Sequence, residues 1–225
     1  MKTLIISDIH LGKRICQRKL RYLHALFNSA DQIILNGDFW DKALISFDDF
    51  LHSAWSELFP VLYRKETIYL YGNHDPAELM DKRTALFSRK KSNSYFLTVG
   101  KTELQIEHGH RLVQGFERVS AFFSSQFLDR NGTHLINMME GLGVRALGVG
   151  FKKFFPHRWL DYCQLKRKIR KKSVLQDERI HILGHLHIDL DCRHRKYIVT
   201  GGVNHGHASF VWIEDDQISL VSARY

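Results

Sequence analysis

Short apolar runs rich in isoleucine, valine, leucine and tyrosine recur along the chain, and each ends at polar residues or glycine. This composition and these boundaries are typical of β-strands. The pattern predicts strands at 3–7, 32–36, 67–71, 94–99, 103–107, 180–183, 197–200, 209–213 and 218–221. The predicted strands therefore fall near the two ends of the chain, and a long middle segment has another pattern.

The segments between the first three strands repeat their apolar residues at helical spacing. The stripe in 18–30 includes Leu20, Leu23 and Phe27, and 48–62 has a similar pattern. Since an apolar stripe of this period marks one buried face of a helix, we predict a helix in each segment. Alternating strands and helices predict an α/β fold with buried strands at the start. The later strands follow one another closely, and we expect them to form hairpins.

The middle segment, 116–177, differs from the rest. Its apolar residues recur at helical spacing, and the stretch 151–172 contains nine Lys or Arg residues against one Asp, with aromatic residues between them. We therefore predict a helical, basic insertion within a single domain of residues 1–225. A basic stretch interleaved with aromatic rings suits a membrane interface, a nucleic acid, or a solvated helix whose rings pack onto the body. We favour the membrane or a lipid substrate over nucleic acid.

The composition of the 225-residue chain is that of a soluble globular protein, with 44% hydrophobic and 25% charged residues. The net charge of +9 favours an acidic partner, such as a phosphorylated substrate, an anionic lipid or a nucleic acid. The three cysteines lie far apart, so we expect no disulfide framework. The apolar run at 4–6 is too short for a signal peptide. These features predict a cytoplasmic protein, with 151–172 as the candidate peripheral membrane contact, and no protein partner is inferred.

Five short polar motifs each follow a predicted strand. They are DIH at 8–10, GDFWD at 37–41, GNHD at 72–75, EHGH at 107–110 and GHLH at 184–187. Open α/β sheets bind ligands at the carboxyl ends of their strands, so these loops are the expected place for a site. We therefore expect the five motifs to meet at one end of the fold.

The motifs contain the residue types that a pair of divalent cations requires. Two cations roughly 3.5–4 Å apart can hold a phosphoryl group and activate water, and a carboxylate with two oxygens can join them. Neutral imidazoles and an amide leave net positive charge to stabilise the transition state. Imidazole combined with carboxylate suits Mn, Fe, Zn or Co, and we expect Mn first. The motifs contain no cysteine, which argues against a structural zinc site.

The ordered set D-x-H, GD-x-x-D, GNHD, H-G-H and GH-x-H resembles the calcineurin-like metallophosphoesterases. This resemblance implies a four-layer αββα sandwich, in which two mixed sheets are flanked by helices. It also implies that two divalent cations serve as cofactors and that a bridging hydroxide attacks phosphorus in line. In this sequence the implied ligands of the first cation are Asp8, His10 and His187, those of the second are Asn73, His108 and His185, and Asp38 bridges both.

The same resemblance implies roles for residues beside the ligands. His74 would bind phosphate and protonate the leaving group, so it and Asp38 are the expected catalytic residues. Asp41 and Asp75 would orient imidazoles. The chain therefore looks like a metal-dependent phosphohydrolase.

Within the family, the chain is most similar to the UDP-diacylglucosamine pyrophosphohydrolases of lipid A synthesis. The SDIHLG start, the spacing from GNHD to HGH and the middle insertion carry this similarity. It implies hydrolysis of a UDP-linked lipid, although members of that group carry Arg where His74 stands here. A nuclease or a cyclic or nucleotide phosphodiesterase with the same metal site is an alternative, as is a non-catalytic binding scaffold. The candidate substrate contacts are Lys152, Lys153, Arg158, Phe122, Phe123 and His205.

Overall fold

The computed structural model describes residues 1–112, 178–187 and 189–225. The chain divides into two compact units, one formed by Met1–Gly109 with Glu178–Tyr225 and the other by His110–Asp177. Of the second unit, only the short 3₁₀ turn His110–Leu112 belongs to the described residues. The predicted helical insertion at 116–177 lies outside them and stays a prediction. All elements considered below belong to the first unit.

The apolar runs at the start of the chain form the parallel centre of a first sheet. Its parallel strands are β1 (Thr3–Ile6), β2 (Gln32–Asn36), β3 (Ile68–Leu70) and β4 (Lys90–Ser92). On the other side of β1 lie three strands from the last part of the chain, namely β10 (Val203–Asn204), β11 (His207–Glu214) and β12 (Gln217–Arg224). Since β11 runs antiparallel to β1, β10 and β12, the sheet is mixed.

The remaining strands form a second mixed sheet. They are β5 (Ser94–Val99), β6 (Thr102–Glu107), β7 (Ile180–Leu183), β8 (Asp189–Cys192) and β9 (Tyr197–Thr200). Strands β6, β7 and β9 are parallel, whereas β5 and β8 pair antiparallel at the two edges. The predicted hairpins are confirmed for β5 with β6 and for β11 with β12.

The alternation of side chains along the strands creates two separate cores. Leu4 and Ile6 of β1 join a core with the helices, whereas Ile5 between them joins a core shared by both sheets. This is the period of two that a strand buried on both faces requires. In the described residues, helices thus pack on one face of the first sheet, and the second sheet packs on the other face of the first sheet. The predicted α/β class with two mixed sheets is confirmed.

Three helices pack against the first sheet: α1 (Gln17–Asn28), α2 (Phe47–His52) and α3 (Phe59–Arg64). The prediction of one continuous helix over 48–62 is wrong, because a 3₁₀ segment at Ala54–Leu58 separates α2 from α3. Ser53 explains the break, since its side chain accepts a hydrogen bond from the Trp55 backbone N–H and its own backbone is extended. Such local bonding by serine competes with the helical hydrogen-bond pattern.

Three short strands, β4, β8 and β10, were not predicted. Their sequences are KKS, DLDC and VN, which lack the apolar run expected of a strand. They exist because a neighbouring strand supplies hydrogen-bond partners: β3 for β4, β9 for β8 and β11 for β10. Among the described residues, no helix is long and apolar enough to cross a bilayer.

Candidate metal centre

The five motifs meet at the carboxyl ends of the parallel strands. Asp8, His10 and His187 each present a ligand atom, and these three atoms lie within 4.8 Å of one another. We call them the first cluster. His10 follows β1 and His187 follows β7, yet the Nε2 atoms of the two imidazoles are only 3.1 Å apart. Nε2 of His187 is also 3.3 Å from Oδ1 of the fully buried Asp8.

Asp38, His108 and His185 form a second cluster with the same 4.8 Å limit. Nε2 of His108 lies 3.1 Å from Oδ2 of Asp38 and 3.1 Å from Oδ1 of Asn73. The other ring nitrogen of His108, Nδ1, is 2.8 Å from the backbone carbonyl oxygen of Asn36. Because an Nδ1–H donor fits this contact, the carbonyl makes Nδ1 the donor nitrogen and leaves Nε2 as the ring nitrogen that faces Asp38 and Asn73.

Asp38 lies between the two clusters. Its Oδ2 atom is 3.1 Å from Nε2 of His108 and 3.8 Å from Nε2 of His10. Its other oxygen, Oδ1, accepts the backbone N–H of His74 at 2.8 Å. A carboxylate held in this way directs one oxygen toward both groups of imidazoles.

The backbone that carries these side chains is strained. Five of the seven expected ligands have positive φ angles, namely Asp8 (54°), His10 (49°), Asp38 (55°), His185 (69°) and His187 (55°). Non-glycine residues rarely adopt this left-handed conformation, which costs about 1–3 kcal/mol each and persists where the surrounding structure enforces it. Such strain concentrates at functional sites, and here it turns successive side chains toward one centre.

Asp41 connects two imidazoles through one carboxylate. Its Oδ2 is 3.0 Å from Nδ1 of His10, and its Oδ1 is 2.9 Å from Nδ1 of His74. An Nδ1–H donor on each ring leaves both Nε2 atoms directed away from Asp41. Asp41 therefore contacts two imidazoles, and its role in orienting them stays a prediction.

Asp75 has other partners than expected. This fully buried carboxylate accepts hydrogen bonds from the backbone N–H groups of Asp38 (2.9 Å), Phe39 (2.7 Å) and Gly72 (2.8 Å), and from the hydroxyl of Tyr69. Its contacts thus anchor the loop after β2 to the loop after β3, where an imidazole had been expected as the partner. Burial, together with the charge of Asp38, raises the pKa of Asp75 to about 7.

Two glycines allow the loops to approach closely. A Cβ atom at Gly72 would overlap Oδ1 of Asp38 and lie 2.8 Å from Oδ1 of Asp75. At Gly184 it would lie 2.6 Å from Oγ of Ser7 and 2.8 Å from Oδ2 of Asp8. Glycine is therefore required in GNHD by the closeness of Asp38 and Asp75, and in GHLH by the closeness of Ser7 and Asp8.

The electrostatics of the first cluster keep its carboxylate ionised. Burial opposes the charge of Asp8, but the neighbouring His187 outweighs it and lowers the pKa of Asp8 to about 2. The backbone N–H of His185 also donates to both Asp8 oxygens, at 3.1 and 3.0 Å. Ser7, immediately before the motif, adds a hydroxyl hydrogen bond to Oδ2. The Asp8 carboxylate is consequently anionic at neutral pH.

The pKa values of the two imidazoles in the second cluster are shifted in opposite directions. Burial and the charge of His108 lower the pKa of His185 to about 4, so the His185 imidazole is neutral at neutral pH. Burial also lowers the pKa of His108, but the charge of Asp38, its hydrogen bond to the ring and the charge of Asp8 together outweigh burial and raise this pKa to about 10. A cation bound at Nε2 of His108 would take the place of that proton.

Sequence reasoning missed several residues that support the ligands. Ser7, Asn36 and Tyr69 hold Asp8, His108 and Asp75 respectively. Ser7 and Asn36 each end an apolar run directly before a motif, a position that could have indicated them. Nothing in the local pattern distinguished Tyr69 from an ordinary core residue of β3.

Of the six candidate substrate contacts, the structure describes only His205. His205 lies with Gly206 in the two-residue turn between β10 and β11; both have positive φ angles, and the His205 side chain is exposed. The other candidates lie outside the described residues: Phe122, Phe123, Lys152, Lys153 and Arg158. All six stay predictions.

A two-sheet α/β sandwich with imidazole and carboxylate clusters at the carboxyl ends of its strands has the form of a metallohydrolase. The model of the calcineurin-like phosphoesterase family matches residues 1–197, and the chain belongs to this family. Members of the family use divalent metal ions, so the chain is a metal-dependent phosphohydrolase. No curated protein is significantly similar to the chain in sequence.

Several solved structures are similar over nearly the whole chain. Yfce, a phosphoesterase from E. coli, is 16% identical, covers 98% of both chains and has a TM-score of 0.46. A predicted phosphoesterase from Streptococcus pneumoniae is 14% identical, with 99% of this chain and 88% of that chain covered and a TM-score of 0.39. The nuclease MPE from Pseudomonas putida is 13% identical, with 97% and 87% covered and a TM-score of 0.40. Similarity this low does not distinguish among substrates.

Proposed function

We propose that the protein hydrolyses a phosphoester or pyrophosphate bond with two divalent cations, one in each cluster. The observation that carries this proposal is the position of Asp38, whose Oδ2 faces His108 at 3.1 Å and His10 at 3.8 Å. One carboxylate oxygen that faces imidazoles of both clusters suits a ligand shared by two cations.

The donor set supports the proposal. The first cation would be held by Asp8, His10 and His187, the second by Asn73, His108 and His185, and both by Asp38. Imidazoles with carboxylate and amide oxygens suit Mn, Fe, Zn or Co, and Mn is our first choice. When bound, two such cations activate a water molecule and neutralise charge on the phosphoryl group.

His74 is the proposed general acid. Burial disfavours its charged form, but the hydrogen bond from Nδ1 to Asp41 and the charges of Asp38 and Asp41 together outweigh burial and raise the pKa of His74. The side chain is 36% exposed, so its Nε2 can reach a leaving oxygen that enters from solvent. Since an acid must carry its proton before it can donate one, the raised pKa suits this role. The backbone N–H of His74 meanwhile holds Asp38 in place.

We further propose a UDP-linked lipid as the substrate. The support is the sequence similarity to the UDP-diacylglucosamine pyrophosphohydrolases and the basic, aromatic stretch 151–172. Lys152, Lys153 and Arg158 would bind the phosphates or lipid head groups, while Phe122 and Phe123 would contact acyl chains. His205 is a further proposed contact. This substrate would place the protein at the cytoplasmic face of the membrane.

A substrate panel with added Mn tests the proposal. We expect UMP to be released from UDP-diacylglucosamine faster than a generic aryl phosphodiester is cleaved, and faster than single-stranded DNA or RNA is degraded. Preferred cleavage of nucleic acid would favour the nuclease alternative and contradict the lipid substrate. Failure to cleave any of these substrates, with Mn bound, would favour the non-catalytic scaffold. The matched control is His74→Ala, which should bind metal as the wild type does.

A further inference from the structure

A lysine is buried on the apolar face of α1. Lys19 is only 8% exposed and shares this face with Leu20, Leu23 and Phe27. Lysine is almost never fully buried unless its ammonium group has partners. An apolar side chain would fill the same space without the desolvation cost, so packing alone does not explain a lysine here.

The partners of Lys19 lie beside the first cluster. Its Nζ atom donates a hydrogen bond to the backbone carbonyl of Ile9 and lies 3.4 Å from Oδ1 of Asn204. Ile9 is the residue between Asp8 and His10, both of which have left-handed backbones. One ammonium group therefore joins α1 to the DIH loop and to the end of β10.

The other backbone groups of the DIH loop are held by neighbouring chain segments. The N–H of Asp8 donates to Gly37 at 3.1 Å, and those of Ile9 and His10 both donate to the Asp38 carbonyl at 2.9 Å. The Asp8 carbonyl accepts the N–H of Val203 at 3.1 Å. The Ile9 carbonyl receives its hydrogen bond from the Lys19 side chain, which adds α1 to the segments that hold this strained loop.

We infer that Lys19 is a positioning residue of the first cluster, which fixes the DIH loop through the Ile9 carbonyl so that Asp8 and His10 face His187. This inference rests on the proposed two-cation function. Outer partners that orient ligands in this way typically affect metal affinity about 10- to 100-fold. Burial lowers the pKa of Lys19 to about 7, which agrees with an ammonium group held in a dry interior.

The test compares Lys19→Met with Leu23→Ala, which creates a cavity on the same face of α1 and keeps the Lys19 side chain. Each is combined with His185→Ala, which impairs the second cluster, or with His187→Ala, which impairs the first. Calorimetric titration with Mn²⁺ then reports on one cluster at a time. We expect Lys19→Met to weaken Mn²⁺ binding about 10- to 100-fold at the first cluster and to leave the second unchanged. Leu23→Ala should reduce stability and change neither affinity.

A second readout needs no metal. Hydrogen exchange of the metal-free protein should show faster exchange of the Ile9 and His10 amides in Lys19→Met than in Leu23→Ala. Unchanged exchange of these amides would overturn the inference, as would equal weakening of both clusters. If the wild type binds no Mn²⁺, the proposed function is wrong, and the exchange of Ile9 and His10 alone then decides whether Lys19 positions the loop.

Discussion

Nε2 of His10 and Nε2 of His187 lie 3.1 Å apart although 177 positions separate the two residues in the chain. At this distance the two nitrogens can share one proton or bind one cation, and the carboxylate of Asp8 lies 3.3 Å from the Nε2 atom of His187. A cation between these atoms would account for the arrangement, because it binds both lone pairs and the carboxylate together.

Removing one of these imidazoles should remove one metal site. We expect His187→Ala to lose about one of two equivalents of bound Mn²⁺, measured by elemental analysis after dialysis, because Asp38, His108 and His185 remain. The control is His194→Ala, which changes an exposed histidine in the 3₁₀ turn Arg193–Arg195 between β8 and β9. Loss of both equivalents, or of neither, would contradict the assignment of His187 to a separate cluster.

Replacing Asp38 should affect metal content and turnover, whereas replacing His74 should affect turnover alone. Asp38→Ala should lower both metal content and turnover, because its carboxylate faces both clusters. His74→Ala should keep the metal and lose about 10²–10⁴-fold in turnover, the usual contribution of a general acid. Metal content and hydrolysis rate measured on the same samples separate the two effects. Equal loss of activity with intact metal in both variants would argue against Asp38 as a shared ligand.

Asp41→Asn should disturb His10 and His74 together. The amide can accept from one Nδ1–H, but its NH₂ group then faces the other ring and favours the wrong tautomer. We expect metal affinity to fall about 10- to 100-fold and turnover to fall with it. Asp191→Asn, which removes only a surface contact with Arg193, serves as the control. An Asp41→Asn variant with wild-type Mn²⁺ affinity would show that Asp41 does not hold His10.

Gly72→Ala should disturb the site by steric overlap alone. The added methyl group would overlap Oδ1 of Asp38, and a misfit of this kind in a packed interior costs about 1–3 kcal/mol. We expect lower metal content together with a lower free energy of unfolding. Gly100→Ala provides the comparison, because its positive φ imposes backbone strain while its nearest neighbours are 3.5 Å away, at Asp216. That variant should lose stability and keep its metal.

Lys19 should make stability depend on pH. Burial lowers its pKa in the folded protein to about 7, compared with 10.5 for an ordinary lysine. Between these values the unfolded chain binds more protons, so the free energy of unfolding rises with pH, by at most about 1.4 kcal/mol per pH unit. Urea unfolding at pH 7.5 and 9.5 should show this rise in the wild type and in Leu23→Ala. In Lys19→Met the contribution of Lys19 to this rise should be absent. If the free energy of unfolding of Lys19→Met rises with pH as steeply as that of the wild type, Lys19 is not a buried titrating lysine.

Local patterns predicted much of the first unit. Strands at 32–36, 94–99, 180–183 and 197–200 have the bounds that the sequence indicated, because each is an apolar run ended by polar residues. Patterns failed where a strand is short and polar, as in β4 and β8, or where one side chain interrupts a helix, as Ser53 does between α2 and α3. In these cases the hydrogen bonds of neighbours decide the structure.

The sequence by itself determined which chemical groups the protein offers and in which loops they lie. Imidazoles, carboxylates and an amide follow predicted strands, and parallel strands bring their carboxyl ends to one edge. Ligand type is a property of each side chain, and strand position follows from the local apolar pattern, so neither requires knowledge of the folded chain.

Only the tertiary structure decided which groups face each other. It placed His187 beside His10, gave Asp75 backbone N–H partners instead of an imidazole, and buried Lys19 under the Ile9 carbonyl. These contacts join segments distant in sequence, and they depend on backbone angles that non-glycine residues adopt only when surrounding packing enforces them. A pattern of residue types cannot predict these backbone angles, because they are imposed by the packing of two sheets and a helix around the same loops.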